Sequence, residues 1–266
     1  MHRLLSRNWL LKHLFALVIL LMLIRLGFWQ LGRLEEKRAH NDATIAALAQ
    51  PPVTLTGAPV DPDDLHFRNI QVTGTYDNAA SVVLRNQTLE GAQGVHLLTP
   101  LRITGSDQAV IVDRGWIPAD QRSPEDLAAY ALDGEVTVEG IAFRAQTRPD
   151  ALFAPMDLPL PNETRIDAWM RVDIAKMQQQ MPDPLLPIFI EQAADPAAPP
   201  DILPRPTPLA ALDEGPHLGY AIQWFTFTGI LVIVYTALMR QELKRNSTPP
   251  STAPGSPSQS GLSAHK

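Results

Sequence analysis

Residues 218–239 run for 22 positions without a charged side chain. Roughly 20 apolar residues, rising 1.5 Å each as a helix, cross the ~30 Å hydrocarbon layer of a bilayer. A segment in lipid must satisfy its own backbone hydrogen bonds, so the stretch predicts a transmembrane helix over 217–239. Its polar and aromatic groups gather at the start, as His217, Tyr220, Gln223 and Trp224. The remainder is aliphatic apart from Thr226, Thr228, Tyr235 and Thr236, which places any chemistry of this segment at its first turns.

A second apolar run, 14–24, follows Arg3, Arg7 and Lys12 and is continued past Arg25 by a further apolar stretch over 26–31. A short core behind basic residues also describes a cleavable signal peptide. The only small-residue cleavage candidate, Ala47-Leu48-Ala49, lies more than twenty residues beyond the core, outside the usual geometry. The reading is an uncleaved span over 10–32 that carries Arg25 into the outer part of the bilayer. Basic residues flank both spans on one side, Arg3, Arg7 and Lys12 before the first and Arg240, Lys244 and Arg245 after the second, so both termini are predicted to be cytoplasmic. This gives a cytoplasmic start over 1–9, an external domain over 33–216 and a cytoplasmic, disordered tail over 240–266.

Residues 35–216 hold 13 Lys and Arg against 27 Asp and Glu, an acidic balance that argues against a nucleic-acid partner, which requires a basic face. With no cysteine in the chain, disulfides, thiolate metal sites and cysteine nucleophiles are excluded. Helix formers continue past the first span until Pro51 and Pro52 end the run. Short β-branched runs broken by Gly, Asn, Asp and Pro follow at 53–56, 66–76, 81–86, 95–103, 109–116 and 135–143. Such spacing predicts a mainly antiparallel sandwich or barrel. Short helices are expected at 124–131, behind the cap Ser123 with Pro124 in its first turn, and at 174–181, opened by Asp173 and stopped by Pro182. The proline-dense stretches 184–187 and 195–208 read as extended or poorly ordered connectors. The fold class is therefore a membrane-anchored α+β protein, two transmembrane helices flanking a β-rich external domain.

Catalytic constellations are scarce in that domain. His66 and His96 lack metal-ligand spacing and read as structural. Asp113-Arg114-Gly115-Trp116 closes a strand. Its bland reading is an Asp–Arg salt bridge beside a rim aromatic, and its functional reading is partner binding through Arg114 and Trp116. No nucleophile elbow, phosphate loop or supported carboxylate pair appears. An outer-leaflet enzyme would gain ground if Asp113, His66 or His96 met in one cleft.

On the second span His217, Tyr220, Ala221, Trp224 and Phe225 follow i, i+3, i+4, i+7, i+8 spacing, which places them on one helical face suited to a flat ligand. Arg25 and Gln223 each lie six positions inside their span, about 9 Å deep, so they are expected to meet. The alternative is an interfacial aromatic belt with a snorkelling arginine and ordinary interhelical hydrogen bonds. A neutral imidazole is a standard axial ligand of haem iron, and Arg25 and Arg33 are candidates to pair with propionates. With Trp29 these complete the candidate set: His217 as metal ligand, and Tyr220, Trp224, Gln223, Trp29, Arg25 and Arg33 around the cofactor.

Four stretches carry a resemblance: LGFWQLGRLEEK at 26–37, VTGTYD at 72–77, VIVDRGWIP at 110–118 and HLGYAIQWF at 217–225. In these, their order and the two-span layout, the chain resembles the surfeit locus protein 1 (Shy-type) family of cytochrome c oxidase assembly factors. The resemblance implies a non-enzymatic assembly factor that aids haem a insertion at the outer face of the inner membrane. Its implied partners are the catalytic oxidase subunit and the haem a synthesis machinery. It puts His217 in the place of a histidine proposed in the family to bind haem, while 213–216 departs from an asparagine-rich run associated with the family. A short basic start followed at once by a span favours a bacterial inner membrane, with the central domain periplasmic. The alternative keeps the partner and removes the haem, leaving a scaffold that stabilises an oxidase intermediate.

Overall fold

The computed structural model describes residues 6–147, 157, 165–199 and 201–247. It divides into two compact units, Met1–Ala39 with Asp213–Lys266, and His40–Leu212.

The first unit is a pair of helices. Helix α1 spans Arg7–Leu48 and helix α5 spans His217–Ser247. Both are long and apolar enough to cross a membrane. Only 11% of the apolar window of α1, and none of that of α5, is buried in protein, as lipid-facing helices require. The residues of α1 that are covered recur at helical spacing, Gly27, Gln30 and Leu34. Gly27 is there because the helices come close: a Cβ would lie 2.7 Å from the Phe225 ring. Phe28 and Phe225 meet edge-on at 5.4 Å, and His13 is hydrogen-bonded to Tyr235 at the other end of the pair. The acid Glu214, just before α5, takes a two-pronged bond from Arg38 of α1, both contacts at 2.8 Å. Helix α5 continues past the expected end of its span, and the predicted disordered tail falls from 248 onward outside the described residues.

The second unit is built on β1 (Val53–Leu55), α2 (Pro62–Leu65), β2 (Asn69–Tyr76), β3 (Val82–Leu89), β4 (Ala92–Ile103), β5 (Ala109–Pro118), α3 (Pro124–Ala128), β6 (Glu135–Arg144), β7 (Ala168–Trp169), α4 (Ile174–Met177) and β8 (Leu185–Gln192). The sheet order β2-β6-β8-β5-β4 returns to β2 through a pairing of Gly74–Tyr76 with 101–103, so five strands close a barrel. Closure removes the unpaired edges of those strands, and β1 and the β3–β7 pair extend the sheet outside it. Gly74 lies at the closing seam, where a Cβ would meet the Arg102 carbonyl at 2.1 Å. The alternating residues Ile70, Val72, Leu101, Ile103, Val110, Val112, Ile188 and Ile190 fill the interior. The opposite face of β5 and β8 is covered by Trp169, Val172, Ile174 and Met177 around Ile111 and Phe189.

The prolines misled in one place. Of residues 184–187, expected to be a connector, 185–187 belong to β8, a central barrel strand between β6 and β5. The register with β5 shifts between the pairs Ala109–Leu185 and Ile111–Phe189, and Pro187 falls inside that irregularity. A residue without an amide costs the ladder nothing there. Within the stretch 195–208 the chain turns over 195–198, and 205–208 run as a strap beside β5. Arg205 forms a two-way backbone bridge with Trp116, and its guanidinium forks onto Glu90. Both short helices form, α3 behind a full capping box of Ser123 and Asp126 and α4 followed by a 3-10 turn over Gln178–Gln180.

Candidate functional site

In the helix pair, His217 is half-buried and its Nδ1 lies 2.9 Å from Gln30 Oε1. With Gln30 Oε1 as acceptor Nδ1 is the donor, and in a neutral ring the lone pair then falls on Nε2. That is the tautomer a metal ligand needs, held by a partner on the facing helix. One face of α5 turns toward α1 through His217, Ala221, Trp224 and Phe225, of which Ala221 is fully buried. The Trp224 Nε1 is sealed from solvent with no acceptor among the described residues.

The other expected site residues lie apart from this face. Tyr220 is 47% exposed, although its spacing suggested the same face as His217. Trp29 is exposed, and Arg33 pairs with Glu36 on its own helix. Arg25 and Gln223 are both exposed and share no hydrogen bond, so equal depth did not bring them together. Arg25 instead lines a groove of about 800 Å³ along α1 with Leu21, Met22, Ile24, Leu26, Phe28 and Trp29. Gln30 was the residue missed. Its signal is its phase, three residues after Gly27 and four before Leu34 on the covered stripe of α1.

The barrel unit holds a second polar centre. The β4–β5 register slips at Leu97/Leu98, leaving Arg114 as the extra residue of β5; Asp113 turns to His96 and Arg114 to Tyr76, and the two form no salt bridge with each other. Asp113 Oδ2 is 2.7 Å from His96 Nδ1, while Oδ1 accepts the Gly115 amide at 3.0 Å. The remaining ring nitrogen of His96 meets Thr207 Oγ1 of the strap at 3.0 Å. The sequence condition for an enzyme is thus half met, since His96 and Asp113 do touch. They are only 8% and 4% exposed, which closes the pair to a substrate. His66 is elsewhere, tilted against Phe67 with its Nδ1 unpartnered among the described residues, and burial lowers its pKa below the ordinary histidine value. Trp116 is half-buried over Gly94, where a Cβ would lie 2.2 Å from the indole nitrogen.

Glu191 of β8 pairs beside Asp113. Burial, then the Asp113 charge, push its carboxyl up to about 7, with His96 opposing. Native protein therefore holds a proton that the unfolded chain releases above its ordinary value of 4.5. The stability tied to this group is complete below that value and is lost as pH rises through about 7. Glu191→Gln is expected to melt higher than the native protein at pH 8, by about 2 kcal/mol or ~5 °C. The difference should vanish near pH 4.5, and a difference independent of pH would sink the assignment.

The architecture defines a class: a protein with two membrane-length helices flanking a closed five-stranded barrel domain, with a histidine oriented across the helix pair. Comparison with known proteins supplies the family. The SURF1 family model matches residues 17–229, and the chain belongs to that family. A SURF1-like protein of Monosiga brevicollis is 27% identical over 226 residues, covering 81% of this chain and 83% of that protein. The SURF1-like protein of Rickettsia felis is 26% identical over 231 residues, covering 86% and 96%. Surfeit locus protein 1 of Takifugu rubripes is 22% identical over 245 residues, covering 86% and 98%.

Proposed function

We propose that this chain serves the assembly of haem-copper cytochrome c oxidase, holding haem a at the outer face of a bacterial inner membrane and presenting it to the catalytic subunit. The termini are cytoplasmic and the barrel domain periplasmic in this reading, which makes or breaks no covalent bond. The observation that carries it is the Gln30–His217 bond, which leaves Nε2 free to ligate iron. The sealed, acceptor-less Trp224 Nε1 one helical face along fits a ligand bringing oxygen atoms into the pair. Haem a would supply the iron centre to be delivered. His217 would hold it, Gln30 would fix the imidazole, Trp224 on the same face would cover the ring, and Arg25 and Arg33 with Trp29, Tyr220 and Gln223, which lie apart from that face, would have to turn toward the ligand to contribute. Docking of the catalytic subunit falls to the barrel domain, and haem a comes from its synthesis machinery.

The test is a visible spectrum of the full-length protein purified from cells that make haem a. Haem a is expected in the native protein and lost, or spectrally altered, in His217→Ala. Equal haem in both would remove His217 from the site. Absence of haem in the native protein, with the oxidase subunit still co-purifying, would favour a haem-free scaffold. The scattering of Tyr220, Trp29 and Arg25 away from His217 is the observation on that side.

A further inference from the structure

Arg114 follows Val110 and Val112 on the barrel-facing side of β5 and is only 5% exposed. Its guanidinium lies over the Tyr76 ring, 4.8 Å from the centroid. It makes no ion pair or hydrogen bond among the described residues, and its nitrogens keep only a narrow opening to solvent. The neighbouring carboxylate, Asp113, is turned to the other face and used up by His96 and Gly115. Tyr76 is the last residue of β2 and Gln192 the last of β8, and the tyrosine hydroxyl donates to Gln192 Oε1 at 3.3 Å. The Gln192 amide group is left as a further donor at the same place. Burial lowers the arginine pKa below its ordinary value and raises the Tyr76 hydroxyl to about 12, both marks of a dry site.

We propose that Arg114, with Tyr76 and Gln192 at these strand ends, forms a carboxylate-binding site that takes an acidic side chain of a partner polypeptide. A desolvated cation without a counter-charge is a standing cost that an arriving anion offsets. With one guanidinium face covered by Tyr76, the free edge offers parallel N–H donors, which match a planar carboxylate. The acidic surroundings, 27 Asp and Glu against 13 Lys and Arg over 35–216, repel free anions at long range. A carboxylate carried in by an already docked polypeptide overcomes that through its high local concentration. The site is independent of haem binding and stands whether or not His217 ligates iron.

The experiment uses full-length protein in nanodiscs and follows melting with sodium acetate, sodium phosphate or the blocked peptide acetyl-Gly-Glu-Gly-amide, against sodium chloride at equal ionic strength. Acetate and the peptide should each raise Tm by about 2–4 °C at tenfold over half-saturation. Arg114→Met should abolish the response while melting in chloride no lower than the native protein, and Arg114→Lys should respond weakly. A Met variant that melts far lower in chloride would make Arg114 a structural residue, and an equal acetate response in that variant would make the effect nonspecific. Either overturns the proposal. Acetate acting without the peptide would overturn the polypeptide source, and phosphate acting alone would overturn the carboxylate.

Discussion

Gly115→Ala is expected to lower the melting temperature of the barrel domain by ~10 °C. Gly115 has φ +115°, a conformation that an L side chain adopts only under strain, at about 1–3 kcal/mol. The strap runs directly over it: a Cβ would stand 2.3 Å from the Arg205 carbonyl oxygen and 2.5 Å from the Pro206 nitrogen. These are backbone atoms with no side-chain rotation available to relieve them. The strap must lift, and with it go the paired Trp116–Arg205 backbone bonds at 2.8 and 2.9 Å and the Thr207 contact to His96. Adding the strain to three lost net bonds of about 1 kcal/mol each gives roughly 4–6 kcal/mol, and a domain of this size loses ~2–4 °C per kcal/mol. Melting of the full-length variant measures it, with proteolysis at Arg205 as a local readout. A Tm within ~2 °C of the native protein, with no faster cleavage, would show that the strap is not held as described.

The strap also shows where sequence reasoning stops. The two membrane-length helices were legible because their signal is local: an unbroken apolar run of sufficient length needs no partner to be recognised. Six strands were placed within a few residues because β-branched runs and glycine-rich breaks are local as well. Strand β8 was not, since Pro184 and Pro187 argue against a ladder until the register slip that accommodates Pro187 is seen. Closure into a barrel rather than a sandwich depends on Gly74 meeting Arg102, a contact between residues far apart in the chain that no periodicity encodes.

For the candidate site the split is similar. His217 stood out as the imidazole at the head of the second span, but its partner Gln30 emerges only once the two helices are in register at Gly27 and Phe225. Arg114 was legible as unusual, and of its two readings the Asp–Arg pair is the one the structure overturns. The β4–β5 register slips at this point, so a pair written side by side in the sequence is divided between the barrel interior and the strap. Glu214 gains a use from the fold as well, because Arg38 forks onto its carboxylate.

The second large effect is expected at Asp113. Its carboxylate serves two buried donors, His96 Nδ1 and the Gly115 amide, and both lose their acceptor in Asp113→Ala. Each buried group left unsatisfied costs about 1–3 kcal/mol, so a loss of about 3–4 kcal/mol is expected, or ~10 °C. His96→Ala should cost less, because Gly115 still satisfies one carboxylate oxygen and the Thr207 hydroxyl can turn elsewhere. In the double variant the second loss has already been incurred, and the cycle should return a coupling of about 1–2 kcal/mol. Glu191 reports on the same centre independently. Asp113 is one of the charges that raise its pKa, so Asp113→Ala should flatten the fall in stability between the ordinary value of 4.5 and about 7. Strict additivity of the two single losses, together with an unchanged pH slope, would mean that His96, Asp113 and Glu191 are three separate residues rather than one coupled centre under the strap.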